Sequence, residues 1–220
     1  MYKIKVIFWV LVMVVPLSLF SQIDSIKGNG LISVAIDSLP TIKFYESKGA
    51  NIPIKSIEIF DDEAIKAHNI REISGKEKNW FKPFSLHLDY YIFYIQVYKI
   101  EEEWMEVIVN EESNQKLWLK NSPNLKYFSW EEFILNTVSI TPINSADNPL
   151  LVTPEINSRQ IKKPVLNCLT PVSIDKEWLK VKVDPTVCDR YNEMGKNDIV
   201  NGYLRWKKGE KLLIHYFLVL

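Results

Sequence analysis

Few side chains in this sequence are able to do covalent or metal chemistry, and none falls into a reactive pattern. Cys168 and Cys188 are its only cysteines. Each would act as nucleophile or ligand only with a base or a metal beside it. Cys168 lies in an apolar run, Val165 to Leu169, with no nucleophile signature around it. His68, His87 and His215 stand apart, and the one acidic residue at a helical spacing, Glu72 four after His68, does not by itself make a metal site. Asp61, Asp62 and Glu63 precede His68, on what reads as a loop. In the run Glu101-Glu102-Glu103, adjacent turn residues point in different directions, so it reads as a solvated turn rather than a paired acid and base. No Gly-rich phosphate loop, nucleophile elbow or zincin helix is present, and no cofactor is expected. The enzymatic reading that is left is a cell-wall hydrolase or cysteine enzyme built on Cys168, Cys188 and the histidines.

The aromatic residues offer a different chemistry, non-covalent recognition by ring faces. Glu103-Trp104-Met105-Glu106-Val107-Ile108-Val109-Asn110 is echoed by Glu177-Trp178-Leu179-Lys180-Val181-Lys182-Val183-Asp184, identical at four of the eight positions. An aromatic-basic segment follows each copy, Leu117-Trp118-Leu119-Lys120 and Tyr203-Leu204-Arg205-Trp206. One supersecondary unit thus reads as occurring twice. A strand period of two puts Met105, Val107 and Val109 on one face, and likewise Leu179, Val181 and Val183, which assigns those faces to cores. Trp104 and Trp178 then fall on the opposite, polar face. In Asp89 to Tyr98 the same alternation sets Tyr91, Phe93, Ile95 and Val97 against Tyr90, Tyr94 and Tyr98, a tyrosine face suited to stacking on sugars or peptides, or to lying under a second domain.

The elements that must position these residues are mostly strands, rich in aromatic and β-branched residues: residues 31–36, 54–60, 91–100, 104–109, 117–119, 165–169, 178–183, 202–206 and 211–218. Lys207-Lys208-Gly209-Glu210 has the composition of a tight turn, so the chain reads as ending in a hairpin. Ser129-Trp130-Glu131-Glu132 is a capping box that opens a short helix through about Leu135. Asp61 to Asn69 reads as a weak helix or a loop. From Asn136 to about Pro154 the composition turns to Thr, Asn, Ser and Pro, which places a domain boundary near Asn144.

A turn followed by Trp-x-x-Val and a strand ending in an aromatic-basic segment resembles the bacterial SH3-like domain. The resemblance is clearer in the second half, where Pro149 to Pro154 looks like the opening strand and turn, Trp178-Leu179-Lys180-Val181 the central strand, and Asn201 to Trp206 the glycine-aromatic strand that follows. In the first half Trp104 to Lys120 matches. It implies an all-β fold of two small SH3-like β-barrel domains in tandem, an elaborated one over 24–144 and a plainer one over 145–220. It also implies that Trp104 and Trp178 border an aromatic groove, with Trp118, Tyr203, Trp206, Tyr90, Tyr94 and Tyr98 as further candidate contacts, for an extended peptide or cell-wall peptide. The other reading is that both tryptophans seal a barrel edge.

Lys3 and Lys5, an apolar run from Val6 to Val15, and Pro16 to Gln22 have the three-part layout of a secretory signal over 1–21. Its apolar core is shorter than the ~20 residues a spanning helix needs, so a cleaved signal and a periplasmic or secreted protein are expected, with no membrane span in the mature chain. Cys168 and Cys188 would there either form a disulfide or remain separate thiols. The whole chain carries 27 basic and 27 acidic residues, which gives no reason to expect nucleic acid as a partner. The charge is uneven, with 13 basic and 18 acidic residues from Asp24 to Asn144 and 12 and 9 beyond. The expected function is an exported, non-catalytic binding module for a peptide, peptidoglycan fragment or envelope protein. A structural or accessory envelope protein is the alternative.

Overall fold

The computed structural model describes residues 26–74, 79–161, 169–183 and 201–219. The expected signal segment, Cys168 and Cys188 lie outside the described residues. The architecture is all-β with one short α-helix, as the sequence predicts. The strands are β1 (Gly30–Val34), β2 (Thr41–Tyr45), β3 (Lys55–Asp62), β4 (Ala67–Ser74), β5 (Ser85–His87), β6 (Ile92–Glu101), β7 (Trp104–Asn110), β8 (Gln115–Lys120) and β9 (Leu125–Ser129). After α1 (Trp130–Leu135) come β10 (Ser139–Pro142), β11 (Leu169–Asp175), β12 (Trp178–Val183), β13 (Asn201–Arg205), β14 (Lys207–Lys208), β15 (Lys211–Leu212) and β16 (Ile214–Phe217).

The first nine strands make one antiparallel sheet in the order β4-β3-β2-β8-β7-β6-β1-β9, with β5 beside β6. Its inner face holds Ile42, Phe44, Ile57, Phe93, Ile95 and Val97, together with Met105, Val107 and Val109, the face expected from the period of two. A second sheet runs β13-β12-β11-β10-β16, and Leu179, Val181 and Val183 point into its core as expected. Neither sheet is closed on itself in this pairing. Ser139–Pro142 pairs with Phe217 to Ile214, so residues just before Asn144 already belong to the second sheet.

Asp61 to Asn69 is neither helix nor loop but the tip of the β3–β4 hairpin, in which Asp62 pairs with Ala67 and Asp61 with His68. The turn there is held by Ala64 N–H donating to Asp62 Oδ1 at 3.0 Å, a local side-chain bond that outcompetes helix where apolar spacing is lacking. The terminal strand also differs from expectation. Gly209, at φ 60°, does make a tight turn between β14 and β15, but only two residue pairs follow it. Beyond them β16 leaves its neighbour and joins β10. Leu213 N–H donates to Trp206 O at 2.9 Å, and Ile143 N–H donates to Leu213 O at 3.0 Å, so Leu213 is where the chain changes partner.

The large sheet keeps its own core, and a second core joins one end of it to the small sheet. In α1, Ser129 Oγ accepts from Glu132 N–H at 3.2 Å and Glu132 Oε2 accepts from Ser129 N–H at 2.8 Å, the expected capping box. The helix inserts Trp130, Phe133 and Ile134 among Leu31 of β1 and Leu179, Val181, Leu204 and Trp206 of the second half. Phe133 meets Tyr94 edge-on at 5.3 Å and Tyr216 at 5.2 Å. A strap from Ile26 to Asn29 crosses the same junction. Ile26 N–H donates to Glu210 O at 2.6 Å, and Asn29 N–H donates to Val97 O at 2.8 Å. Gly28, at φ 66°, lies so close to β6 that a Cβ would fall 2.4 Å from Val97 O, so glycine is required there for both backbone angle and approach.

Asn148, buried, ties the second half together. Its Oδ1 accepts from Arg205 N–H at 3.0 Å, and its Nδ2 donates to Arg205 O at 2.7 Å and to Leu213 O at 3.3 Å. Asn148→Ala leaves the N–H and C=O of Arg205 without partners, while Leu213 O keeps the Ile143 N–H, at a cost of about 2–3 kcal/mol. Urea unfolding monitored by circular dichroism is expected to show that loss, and an unchanged midpoint would contradict this role for Asn148.

Candidate functional site

The two Trp-bearing hairpins correspond in detail. The first, β6–β7, turns with Glu102 at φ 58°, and the second, β11–β12, turns with Lys176 at φ 57°. The register shifts between Val97 and Lys99 in one and between Pro171 and Ser173 in the other, the same distance from the turn. Trp104 lies opposite Lys120, and Trp178 opposite Arg205. Glu103 pairs with Lys120 at 3.1 Å where Glu177 pairs with Arg205 at 2.5 Å. Asn121 N–H donates to Glu103 O, as Trp206 N–H donates to Glu177 O. The Glu177 carboxylate is held below its usual pKa by the Gly209 N–H and then by Arg205.

The candidate aromatic residues divide by environment. Trp206 is fully buried, its indole N–H donating to Lys176 O at 2.8 Å, and it offers no ring face to a ligand. Trp104 is 7% exposed, with Tyr45 edge-on at 5.1 Å and Lys120 Nζ 5.8 Å from its ring. Tyr94 is half-buried against Phe133, and desolvation raises its phenol pKa. These three residues serve packing. Trp118 is half-buried under Lys99 Nζ at 5.9 Å, and Tyr98 is exposed with Lys116 Nζ 3.2 Å from its ring centroid. Tyr90 is exposed in a single 3-10 turn before β6, while Tyr91, expected on the apolar face, sits at φ 56°, also exposed, with His68 5.5 Å away.

The outer face of β12–β13 keeps its aromatic surface. Trp178, Lys180 and Lys182 lie opposite Arg205, Tyr203 and Asn201, on the side of the sheet away from Leu179, Val181 and Val183. Trp178, Lys180 and Tyr203 are half-buried and Lys182 is exposed. The face therefore combines two ring surfaces with cationic heads, an arrangement suited to an anionic or sugar-bearing ligand.

Two clefts lie elsewhere. One of about 260 Å³ opens where β2 and β8 part, lined by Thr41, Lys43, Tyr45, Lys120, Asn121 and Asn124 among others. Sequence reasoning missed it because β2 was not assigned, although Thr41 to Tyr45 alternates polar and apolar residues after Pro40. The other, about 540 Å³, lies at the β3–β4 tip among Asp61, Asp62, Glu63, His68, Asp89 and Tyr91. His68 Nδ1 is 2.8 Å from Asp61 Oδ1 but off the line a hydrogen bond requires. Asn69 and the Ala64 N–H hold Asp62 below its ordinary pKa. Among the described residues, no group of three His, Cys, Asp or Glu side chains is arranged to hold a metal ion, and no helix is long and apolar enough to cross a membrane.

Comparison with protein-family models, with curated proteins and with solved structures finds no match to this chain.

Glu111, just past β7, is the most perturbed carboxylate among the described residues. Its Oε1 is buried without a hydrogen-bond partner, and desolvation, only partly offset by Lys27, pushes its pKa up to about 7. Its charge also acts on the phenol of Tyr216, which burial already raises. A carboxyl whose folded pKa is raised favours folding fully below its unfolded value near 4.5, and that contribution is lost as the pH rises toward 7. With Glu111 only partly buried, the loss is about 1–2 kcal/mol. Urea midpoints at pH 4.5 and 7.5 are expected to fall more for wild type than for Glu111→Gln; identical changes in both proteins would contradict the assignment.

Proposed function

We propose that this chain is an exported, non-catalytic binding protein of two SH3-like modules, which recognises a peptide, cell-wall fragment or envelope protein through the outer face of β12–β13. The signal-like segment over 1–21 supports export to the periplasm or beyond. The shared turn, bulge, ion pair and backbone bond of the two Trp hairpins support a repeated module.

One observation carries the choice of face. The packing of β12–β13 is satisfied on its inner side by Leu179, Val181, Val183 and Leu204, yet Trp178 and Tyr203 stand on the outer side beside Lys180 and are only partly buried. Rings left wet next to cationic heads favour stacking on a ligand over sealing a core. Trp104, at the corresponding place in the first half, is closed by Tyr45 and Lys120, so the two modules divide between support and recognition. A second reading, an accessory envelope protein without an open groove, draws on the core that joins the sheets through Trp206, Trp130 and Phe133.

Co-sedimentation of the mature protein with purified peptidoglycan sacculi tests the first reading, using wild type and a Trp178→Ala/Tyr203→Ala variant. Wild type is expected to sediment, and the variant to bind about tenfold more weakly, equivalent to ~1.4 kcal/mol. Equal sedimentation of both proteins, or none of wild type, would count against this face as a cell-wall site.

A further inference from the structure

The cleft of about 260 Å³ in the first half combines an apolar wall with a polar rim. Tyr45 and Leu125, both half-buried, bring ring and aliphatic surface to it above the buried Ile42 and Leu119. At the rim Thr41, Lys43, Asn121 and Ser122 are exposed, and Asn124 is half-buried.

The backbone of this rim is pinned while its side chains are unused. Asn121 N–H donates to Glu103 O at 2.7 Å, and Ala35 N–H donates to Asn124 O at 2.9 Å. Between them Leu125 N–H donates to Ser122 O at 3.0 Å, closing a turn with Pro123 at its second position. Across the cleft, Ile59 N–H donates to Pro40 O at 3.1 Å and holds the start of β2. Asn69, Asn110 and Asn148 use their carboxamides to tie the chain together. The carboxamides of Asn121 and Asn124 and the hydroxyls of Thr41 and Ser122 make no hydrogen bond to any described residue. Four groups able to recognise a ligand are thus held in place without a structural task.

Their chemistry selects the occupant. No carboxylate belongs to the lining, so nothing there neutralises a cation. Lys120 is paired with Glu103 at 3.1 Å, which leaves Lys43 as the one uncommitted cation of the lining, and the Phe44–Leu119 rung already joins β2 to β8. Hydroxyls and carboxamides each donate and accept, as a ligand made of hydroxyl groups requires. A sugar ring has that edge, and it also has an apolar C–H face for the wall. The volume lies below the roughly 300–1,000 Å³ typical of small-molecule pockets, so the cleft admits one ring rather than a length of chain.

We propose that this cleft binds a single pyranose unit of a saccharide, its C–H face against Tyr45 and Leu125 and its hydroxyls on Asn121, Asn124, Thr41 and Ser122. The site is separate from the β12–β13 face and does not depend on that face binding anything.

Titration of the isotope-labelled protein, followed through its amide NMR spectrum, tests it. The probes are the methyl pyranosides of glucose, galactose, mannose and N-acetylglucosamine, with sorbitol as a polyol that has no ring. At least one pyranoside is expected to shift amides within 41–45 and 119–125 saturably, with a Kd on the order of 1 mM, and sorbitol to bind at least about tenfold more weakly. Asn121→Ala/Asn124→Ala, checked for folding by the same spectrum, is expected to weaken that pyranoside about tenfold, whereas Trp178→Ala/Tyr203→Ala binds it as wild type. The proposal is overturned by any of five results: no saturable shift with any of the pyranosides, shifts confined to residues outside the cleft, equal binding of sorbitol, no effect of the asparagine substitutions, or loss of binding in the Trp178/Tyr203 variant. The shift map and the sorbitol comparison use wild-type protein, so they hold even where a variant fails to fold.

Discussion

A helix of six residues does not hold itself together in water, because nucleation costs more than so few hydrogen bonds return. That α1 forms at all depends on its capping box and on the burial of Trp130, Phe133 and Ile134. The rest of the structure depends on the same burial. The β1–β6 end of the large sheet presents Leu31 and Tyr94, and the small sheet presents Leu179, Val181 and Leu204; neither apolar surface is covered by its own sheet. α1 lies between them, and Trp206 and Ile26 complete the packing. The strap from Ile26 to Asn29 adds hydrogen bonds to β6 and to Glu210 across the same junction, so both halves are fastened where the helix plugs them.

With the inner faces occupied in this way, the outward rings acquire separate roles. Trp104 is enclosed by Tyr45, and Trp206 by the shared core. Trp118 and Tyr98 face lysines across the sheet, a pattern that stabilises an exposed face by cation–π attraction. Trp178 and Tyr203 keep solvated surface beside Lys180, and the division between rings that pack and rings that face water underlies the functional reading.

Much of this was legible from residues alone, for physical reasons that can be named. The inward sets Met105/Val107/Val109 and Leu179/Val181/Val183 followed from a period of two, and α1 from reciprocal capping by Ser129 and Glu132. What was not legible depended on partners distant in sequence. Trp206 and Trp178 have similar local patterns, yet one is core and the other is not, because the chain turns at Leu213 and brings β16 to β10. The β3–β4 hairpin was hidden because Asp62, Asn69 and the Ala64 N–H fix its tip through side-chain bonds that no hydrophobic spacing announces. The cleft beside β2 arises from the ending of a ladder, and a ladder's end is a property of two strands.

Acrylamide quenching of tryptophan emission in single substitutions tests the division of rings most directly. Trp178→Phe is expected to remove much of the readily quenched emission, and Trp206→Phe to remove shielded emission while leaving the quenched fraction intact. If Trp178→Phe quenches like wild type, or Trp206→Phe abolishes the accessible component, the assignment of one ring to recognition and the other to the core is contradicted.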